Sequence, residues 1–368
     1  MKKLVLLFSF LFIFTSIILD QTIIENPEKP LSKNPGRILP LEEIMRIKES
    51  KDTVLFEGEY YQMGIDIAHD GSIFVKDKLK LYRFDANGKF VKNIVKIGQG
   101  PGEIQRELTD YKVIGDDVLL FSGPVSKLVK LDLSGNLKEE LKLIQRRFSR
   151  FLASYNQKYF FVDYRQTDFS RKSGMKEYER NLCIQDQEGY INVVPFSFPT
   201  KSLVSYLSGG VSIVPVTQPV VSRIAEHYIY LSHTQEYLIN QIDLNSGKVS
   251  KVFRRTYPRV KCPRKRRGGS RLLVFENDVH GLLVYKKHPW VLTSTSDEEK
   301  GILVDMFNEE GIYQDSFYLQ LVNAIEKAKY ASFPQKYLPM TISGDYLFAI
   351  EYDEDDYFCV VKYKIPDL

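Results

Sequence analysis

Cysteine is scarce in this chain, with three residues at Cys183, Cys262 and Cys359 in a length of 368. An odd set of three allows at most one internal disulfide, so packing rather than a disulfide framework must hold the fold. Cys183 and Cys359 lie in strand-like runs and read as small buried hydrophobes, while Cys262 sits in a basic stretch with no base or orienting group beside it. Because no cysteine precedes Cys183, an amino-terminal lipoprotein anchor is not expected. Histidine is also rare, and His69, His227, His233, His280 and His288 form no H-E-x-x-H or other tight ligand pair, so neither a metal nor another cofactor is expected. His69, beside Asp70 and Gly71, reads as the cap of a turn. A G-x-S-x-G elbow is missing, and GQGPGE at 98–103 has the wrong spacing for a phosphate loop and lacks its Lys-Ser/Thr. Those glycines and that proline serve a bend. A net charge of +4 is small for this length and excludes nucleic acid as an expected partner.

What is present begins with Lys2 and Lys3 followed by an apolar run over residues 4–19, the pattern of an export signal. At ~1.5 Å per residue such a run reaches about 24 Å, short of the ~30 Å hydrocarbon core, which favours a cleaved signal over a permanent anchor. No Ala-x-Ala-like site follows, so an uncleaved signal-anchor is the alternative and the only expected link to a membrane. The expected location is exported, in a periplasm or outside the cell. Residues 20–40 carry Pro27, Pro30, Pro35 and Pro40 and read as a linker, since each proline removes an amide donor. Residues 41–48 fit either a helical turn or an edge segment. The expected layout is a signal at 1–19, a Pro-rich lead-in at 20–50 and one domain over 51–368.

Within that domain, residues 65–103 hold a unit that the later segments repeat more loosely. SIFVKD at 72–77 and KLYRF at 80–84 are rich in β-branched and aromatic residues, which suit a pleated, half-buried surface. DANG at 85–88 then sets a turn-initiating carboxylate three residues before a glycine, and FVKNI returns as the next strand. The strand recurs as VLLF at 118–121, YFFV at 159–162, YIYL at 228–231, WVLT at 290–293 and YLFAI at 346–350. The acid-to-glycine turn recurs at 132–135, 186–189, 243–247 and, stretched, from Asp305 to Gly311, with the acidic loop 353–356 as the sixth. That acidic loop lacks the alternation and the glycine of a calcium loop and reads as a hairpin tip. Turn glycines 47 to 64 residues apart match a propeller period of ~40–50 residues with insertions.

The pattern GSIFVKD…LYRFDANGKFVKNI followed by GQGPGE resembles the NHL-type six-bladed β-propellers, in particular an exported bacterial branch with a Gly-x-Gly-Pro-Gly-Glu corner after its first blade. The likeness is sharpest over residues 65–135. It implies an all-β, six-bladed β-propeller of four-stranded antiparallel blades, and export, but no activity. The strand TVLFE at 53–57 is expected to pair with the last blade and close the ring, removing two open edges. A load of 23 Tyr and 23 Phe suits the wedges between stacked sheets.

Residues 170–180 read as a protruding polar loop, residues 196–210 as an extended connection into the fourth blade, and residues 319–330 as a short helix. Residues 259–271 carry seven basic side chains in thirteen, with Arg264, Lys265, Arg266 and Arg267 as a candidate anion site for an acidic protein, phosphate head groups or an acidic polysaccharide. The competing reading is a solvated loop. Two functions follow from the fold. One is an exported binding or scaffold propeller that holds an unknown protein, peptide or glycan by loops on one face. The other is a propeller hydrolase or lyase with its active site at the channel mouth, for which clustered His, Asp and Glu from three or more blades would speak.

Overall fold

The computed structural model describes residues 22–48, 56, 58, 62–143, 148–163, 173–207, 210–217, 219–233, 235–262, 274–325 and 336–368. These fold into six largely antiparallel sheets of four or five strands, with one further two-stranded pairing, and their helical structure is confined to 3-10 turns such as Val322–Ala324. The six sheets are taken here as blades in chain order. Blade 1 is Met63–Ile67, Ile73–Asp77, Lys80–Phe84 and Phe90–Asn93; blade 2 is Asp110–Ile114, Asp117–Ser122, Lys127–Asp132 and Leu137–Lys142. Blade 3 is Phe148–Tyr155, Lys158–Asp163, Gly174–Gln185 and Ile191–Leu207, with Gly210–Pro215 added. Blade 4 runs Val220–Val221, Tyr228–Ser232, Ile239–Asp243 and Lys248–Arg255; blade 5 runs Val279–Tyr285, His288–Asp297, Gly301–Phe307 and Tyr313–Leu319. Blade 6 has Met340–Ser343, Tyr346–Tyr352 and Phe358–Lys364 from the end of the chain.

SIFVKD and each later run that repeats it form the second strand of a blade. That position is covered by a neighbouring blade on both faces, so it carries a continuous apolar run rather than an alternating one. Asp117–Ser122 and Lys158–Asp163 are buried at every residue but the first, whereas the outer strand Phe90–Asn93 is mostly exposed. The core is accordingly split into six apolar clusters among the described residues, one in each wedge. Phe348 and Ile350 of blade 6 meet Ile65 and Phe84 of blade 1; Phe74 and Leu81 meet Val113 and Leu120. Phe121 and Leu128 pack on Phe151 and Phe161, and Phe160 and Leu182 on Leu231 and Ile242. Tyr230 and Phe253 face Val291 and Phe307, and Trp290 and Phe317 face Leu347 and Val361. Each such aromatic or aliphatic side chain contributes about 1.5–3 kcal/mol by leaving water, and the sequence of wedges closes the circle.

The turns follow the acid-to-glycine rule with one correction. Gly88, Gly135 and Gly189 adopt positive φ and donate to the carbonyls of Asp85, Asp132 and Asp186, whose carboxylates accept amides across the turn. In blade 5 the initiator is Asn308, whose Oδ1 accepts the Ile312 amide, and not Asp305, which is fully buried within Gly301–Phe307. At 353–356 the turn stands as an exposed tip, with Asp356 in the left-handed conformation that glycine holds elsewhere.

Closure comes from the amino-terminal side, though not from the expected segment. Residues 53–55 and 57 lie outside the described residues. Glu42–Ile47 pairs antiparallel with Phe358–Lys364 and supplies the outermost strand of blade 6. The Pro-rich stretch before it also carries strands: Ile23–Asn26 lies parallel on blade 4 and Arg37–Leu39 parallel on blade 5. The prolines fall between these strands, so none takes the place of a needed amide donor. The chain therefore wraps three blades from outside before entering blade 1.

Three further expectations change. Gly174–Gln185 and Ile191–Leu207 form one long hairpin, so the described part of 170–180 is strand rather than loop, and 196–207 is strand rather than connection. Of 319–330, Leu319 ends a strand, Val322–Ala324 is a 3-10 turn, and 326–330 lie outside the described residues. The GQGPGE corner is a clamp: Glu103 Oε2 accepts the Gly100 amide at 2.8 Å, and Lys127 Nζ donates to the carbonyls of Gly100 and Glu103 at 3.1 and 2.9 Å. A side chain at Gly98 would displace the Glu103 carboxylate from this clamp.

Candidate site at the channel mouth

The first strand of each blade lines a channel on the ring axis. Strand direction alternates within a blade, so the connections between blades and those between second and third strands all lie at one mouth. The cavity opening there holds about 450 Å³ and is lined from all six blades. A second space of about 300 Å³ lies toward the other end, and Asp66, Lys112 and Arg223 border both.

Arg223 of blade 4 makes that partition. In a ring of six, blade 4 stands opposite blade 1, and the Arg223 guanidinium reaches across: Nε is 3.2 Å from Asp66 Oδ1, and its terminal nitrogens donate to the carbonyls of Ile67 at 2.8 Å and of Ile342 in blade 6 at 3.2 Å. Asp66 itself accepts the amides of Ile67 at 3.0 Å and Val113 at 2.9 Å, tying blade 1 to blade 2. On the next sector, Arg150 Nε donates to Asp110 Oδ2 at 3.0 Å. Tyr111 donates its hydroxyl to the Phe74 carbonyl at 3.0 Å.

Two lysines complete this sector. Lys76 Nζ reaches the Thr109 carbonyl at 3.4 Å, and among the described residues neither Lys76 nor Lys112 forms an ion pair. Burial pushes both ammonium groups below the usual lysine range, against the pull of Asp110 on Lys76 and of Asp66 and Asp110 on Lys112. Beside the mouth, burial raises the Asp278 carboxyl to about 6 although Arg259 Nε lies 3.0 Å away. His280, also in the lining, has its ring 5.5 Å from that of Tyr337 and its Nε2 4.0 Å from Glu276.

Arg264, Lys265, Arg266 and Arg267 fall outside the described residues. On either side of them, Lys261 bridges Phe275, the Cys262 amide donates to the Val274 carbonyl at 3.0 Å, and the chain runs on through Asn277 into the channel lining. Arg259 is taken up by the wall, stacked 4.8 Å from the Phe275 ring and paired with Asp278. His69 does not cap its own turn, a task that Asp70 performs by accepting the Ser72 amide; it reaches blade 2 instead, at the Gly115 carbonyl and Asp116. Cys183 and Cys359 are buried and form no disulfide, and burial pushes the Cys359 thiol up to about 11. The described residues hold no group of three or more His, Cys, Asp or Glu fit for a metal ion.

The channel residues were not singled out from the sequence, yet a signal exists. Asp66 stands between Ile65 and Ile67 as the single charge of a mostly buried strand, and Lys112 stands between the buried Tyr111 and Val113. A lone charge at the centre of the first strand of a blade points to the axis.

The architecture is that of a six-bladed β-propeller. A family model, DUF5128, described as a 6-bladed beta-propeller, matches residues 63–243. Among solved structures the chain is similar to a protein of Bacteroides fragilis NCTC 9343 described as exported, at 12% identity and a TM-score of 0.56, covering 94% of this chain and 100% of that one. It is likewise similar to a member of the duf4221 family from Bacteroides vulgatus, at 9% identity and a TM-score of 0.54, covering 90% and 99%. At these identities the likeness concerns the fold. No curated protein matches the sequence. None of the helices among the described residues is long and apolar enough to cross a membrane.

Proposed function

We propose that this protein is an exported binding propeller that receives its ligand at the channel mouth on the face of the inter-blade connections. The observation that carries this reading is the cavity of about 450 Å³ whose lining includes two lysines, Lys76 and Lys112, neither in an ion pair among the described residues. A volume in the roughly 300–1,000 Å³ range of small-molecule sites favours a ligand of that size over a flat protein epitope. The hydrolase or lyase reading draws less support. Asp66 and Asp110, the acids of the lining, are each engaged by an arginine, and His280, the histidine of the lining, stands by Tyr337 and Glu276, so acid and base are not gathered into one group there. Export is supported by the charged and apolar pattern of residues 1–19 and by the exported character given to the Bacteroides fragilis protein.

The test is a thermal-shift panel of small acids, sugars and short peptides on the full chain and on Val221→Trp, which fills the cavity. Compounds that raise the unfolding temperature of the natural protein should leave the variant unmoved. Equal responses in both would take binding away from the channel.

A further inference from the structure

The two sides of the mouth differ in chemistry. Blades 1 to 3 contribute Lys76, Lys112 and the Arg150–Asp110 pair, whereas blades 4 to 6 contribute the half-buried apolar side chains of Val220, Val221, Val284 and Met340 beside Arg223, Asn277 and His280. Counting the lining charges, Lys76, Lys112, Arg150 and Arg223 oppose Asp66 and Asp110, an excess of two positive charges with the two ion pairs accounted for. The excess resides in the two lysines. An ammonium group held partly away from water with no carboxylate in ion-pair contact is costly, so its retention at a half-buried site fits a charge supplied from outside.

Resting on the channel-mouth reading, we propose that the ligand is a small amphiphilic anion, its acidic head between Lys76 and Lys112 and its hydrocarbon body on the wall of Val220, Val221, Val284 and Met340. The lysines come from adjacent blades, so one anionic group bridging them ties blade 1 to blade 2 at the mouth. The apolar wall excludes a bare inorganic anion as the best ligand, because that wall would face water left in the cavity. A solvent-held pair of lysines would show no such preference for a hydrocarbon body.

Titration calorimetry on the full chain with octanoate, octanamide, octyltrimethylammonium and inorganic phosphate separates the contributions. Octanoate should bind at least tenfold more tightly than octanamide or phosphate, and octyltrimethylammonium should not bind. Lys112→Met should weaken octanoate about 10- to 100-fold, the range for one charge-assisted contact, and Lys112→Arg should retain most of the affinity. Lys76→Met with Lys112→Met should abolish binding while the thermal unfolding transition stays cooperative. Equal affinity for octanoate and octanamide, or no effect of either lysine substitution, would overturn the anion assignment and leave the channel as a binding site. Phosphate binding as tightly as octanoate would overturn the role of the apolar wall. If none of the four binds the natural protein, the proposal is wrong, and the Val221→Trp comparison then decides separately whether the channel binds anything.

Discussion

Arg46 and Glu351 join the two ends of the folded chain: the guanidinium on Glu42–Ile47 stands 3.6 Å from a carboxylate that is 2% exposed on Tyr346–Tyr352. Glu351 also accepts the Tyr363 hydroxyl at 2.7 Å, and Arg46 donates to Cys359 Sγ at 3.2 Å and to Glu43 at 2.6 Å. Burial raises the Glu351 carboxyl above the usual glutamate range, and Tyr363 and Arg46 hold it down. The strand closing the ring is therefore fixed by more than its ladder of backbone hydrogen bonds.

Removing the cation while keeping its bulk, as in Arg46→Met, should cost about 2–4 kcal/mol, because it leaves a buried carboxylate with one hydrogen-bond donor. Glu43→Gln, at an exposed partner, should cost under ~1 kcal/mol. The loss in Arg46→Met should be larger at pH 8 than at pH 5: a carboxyl whose folded pKa is raised keeps its proton in the native state at lower pH, and stability falls as pH rises through that raised value. Urea unfolding of the natural and variant chains at the two pH values checks both points.

The strut across the channel makes a second case. Asp66 accepts two backbone amides as well as the Arg223 ion pair, so Asp66→Ala orphans donors in blades 1 and 2 at once. Arg223→Met removes one partner and leaves both amides satisfied. The expected order is Asp66→Ala at about 3–5 kcal/mol and Arg223→Met at about 1–3 kcal/mol, measured by urea unfolding, with the double variant short of the sum. Full additivity would show that the two side chains do not act together.

These cases mark where the sequence was legible. The turns could be read because their chemistry is local: Asp85 and Gly88 complete their contacts within five residues. The second strands could be read because burial on both faces leaves a continuous apolar run. Asp305 was misread as a turn residue because a search for acids before glycines cannot separate a surface turn from a buried acid. Its partners, Arg255 at 2.7 Å and the hydroxyls of Tyr237 and Tyr313 at 2.8 Å each, come from two blades. Ile23–Asn26 and Arg37–Leu39 were read as linker because an added edge strand takes its register from the blade it joins. Asp66 and Arg223, 157 positions apart, meet only because six blades bring opposite sides of a ring together.

The basic loop can be tested apart from the channel. Arg259, at its foot, is committed to Asp278 and Phe275, so Arg264, Lys265, Arg266 and Arg267 are the side chains expected to meet an acidic partner. Replacing those four with Ser should shorten retention on a heparin-like resin at low salt, where screening is weakest, and leave the thermal midpoint within ~1 °C of the natural protein. Unchanged retention would remove the anion role of the loop, and a large drop in midpoint would make it structural.

The last prediction sets two buried groups against each other. Burial lowers the His233 ring from 6.5 to about 4, despite raising contributions from backbone carbonyls, while burial raises Asp278 from 3.8 to about 6. A base with a depressed folded pKa is protonated first in the unfolded chain, so its stabilising contribution is lost as pH falls from about 6.5 toward 4. An acid with a raised folded pKa holds its proton longer in the native state, so its contribution is lost as pH rises from about 4 to 6. Each effect is on the order of 3 kcal/mol, and between about pH 4 and 6 they oppose each other. Asp278→Asn removes the falling contribution and should make stability rise more steeply with pH across that window. His233→Gln removes the rising one and should make it fall. Urea midpoints at half-unit steps from pH 4 to 6.5 would show the two variants diverging in opposite directions from a flatter natural profile, and parallel profiles would mean that neither group titrates with folding.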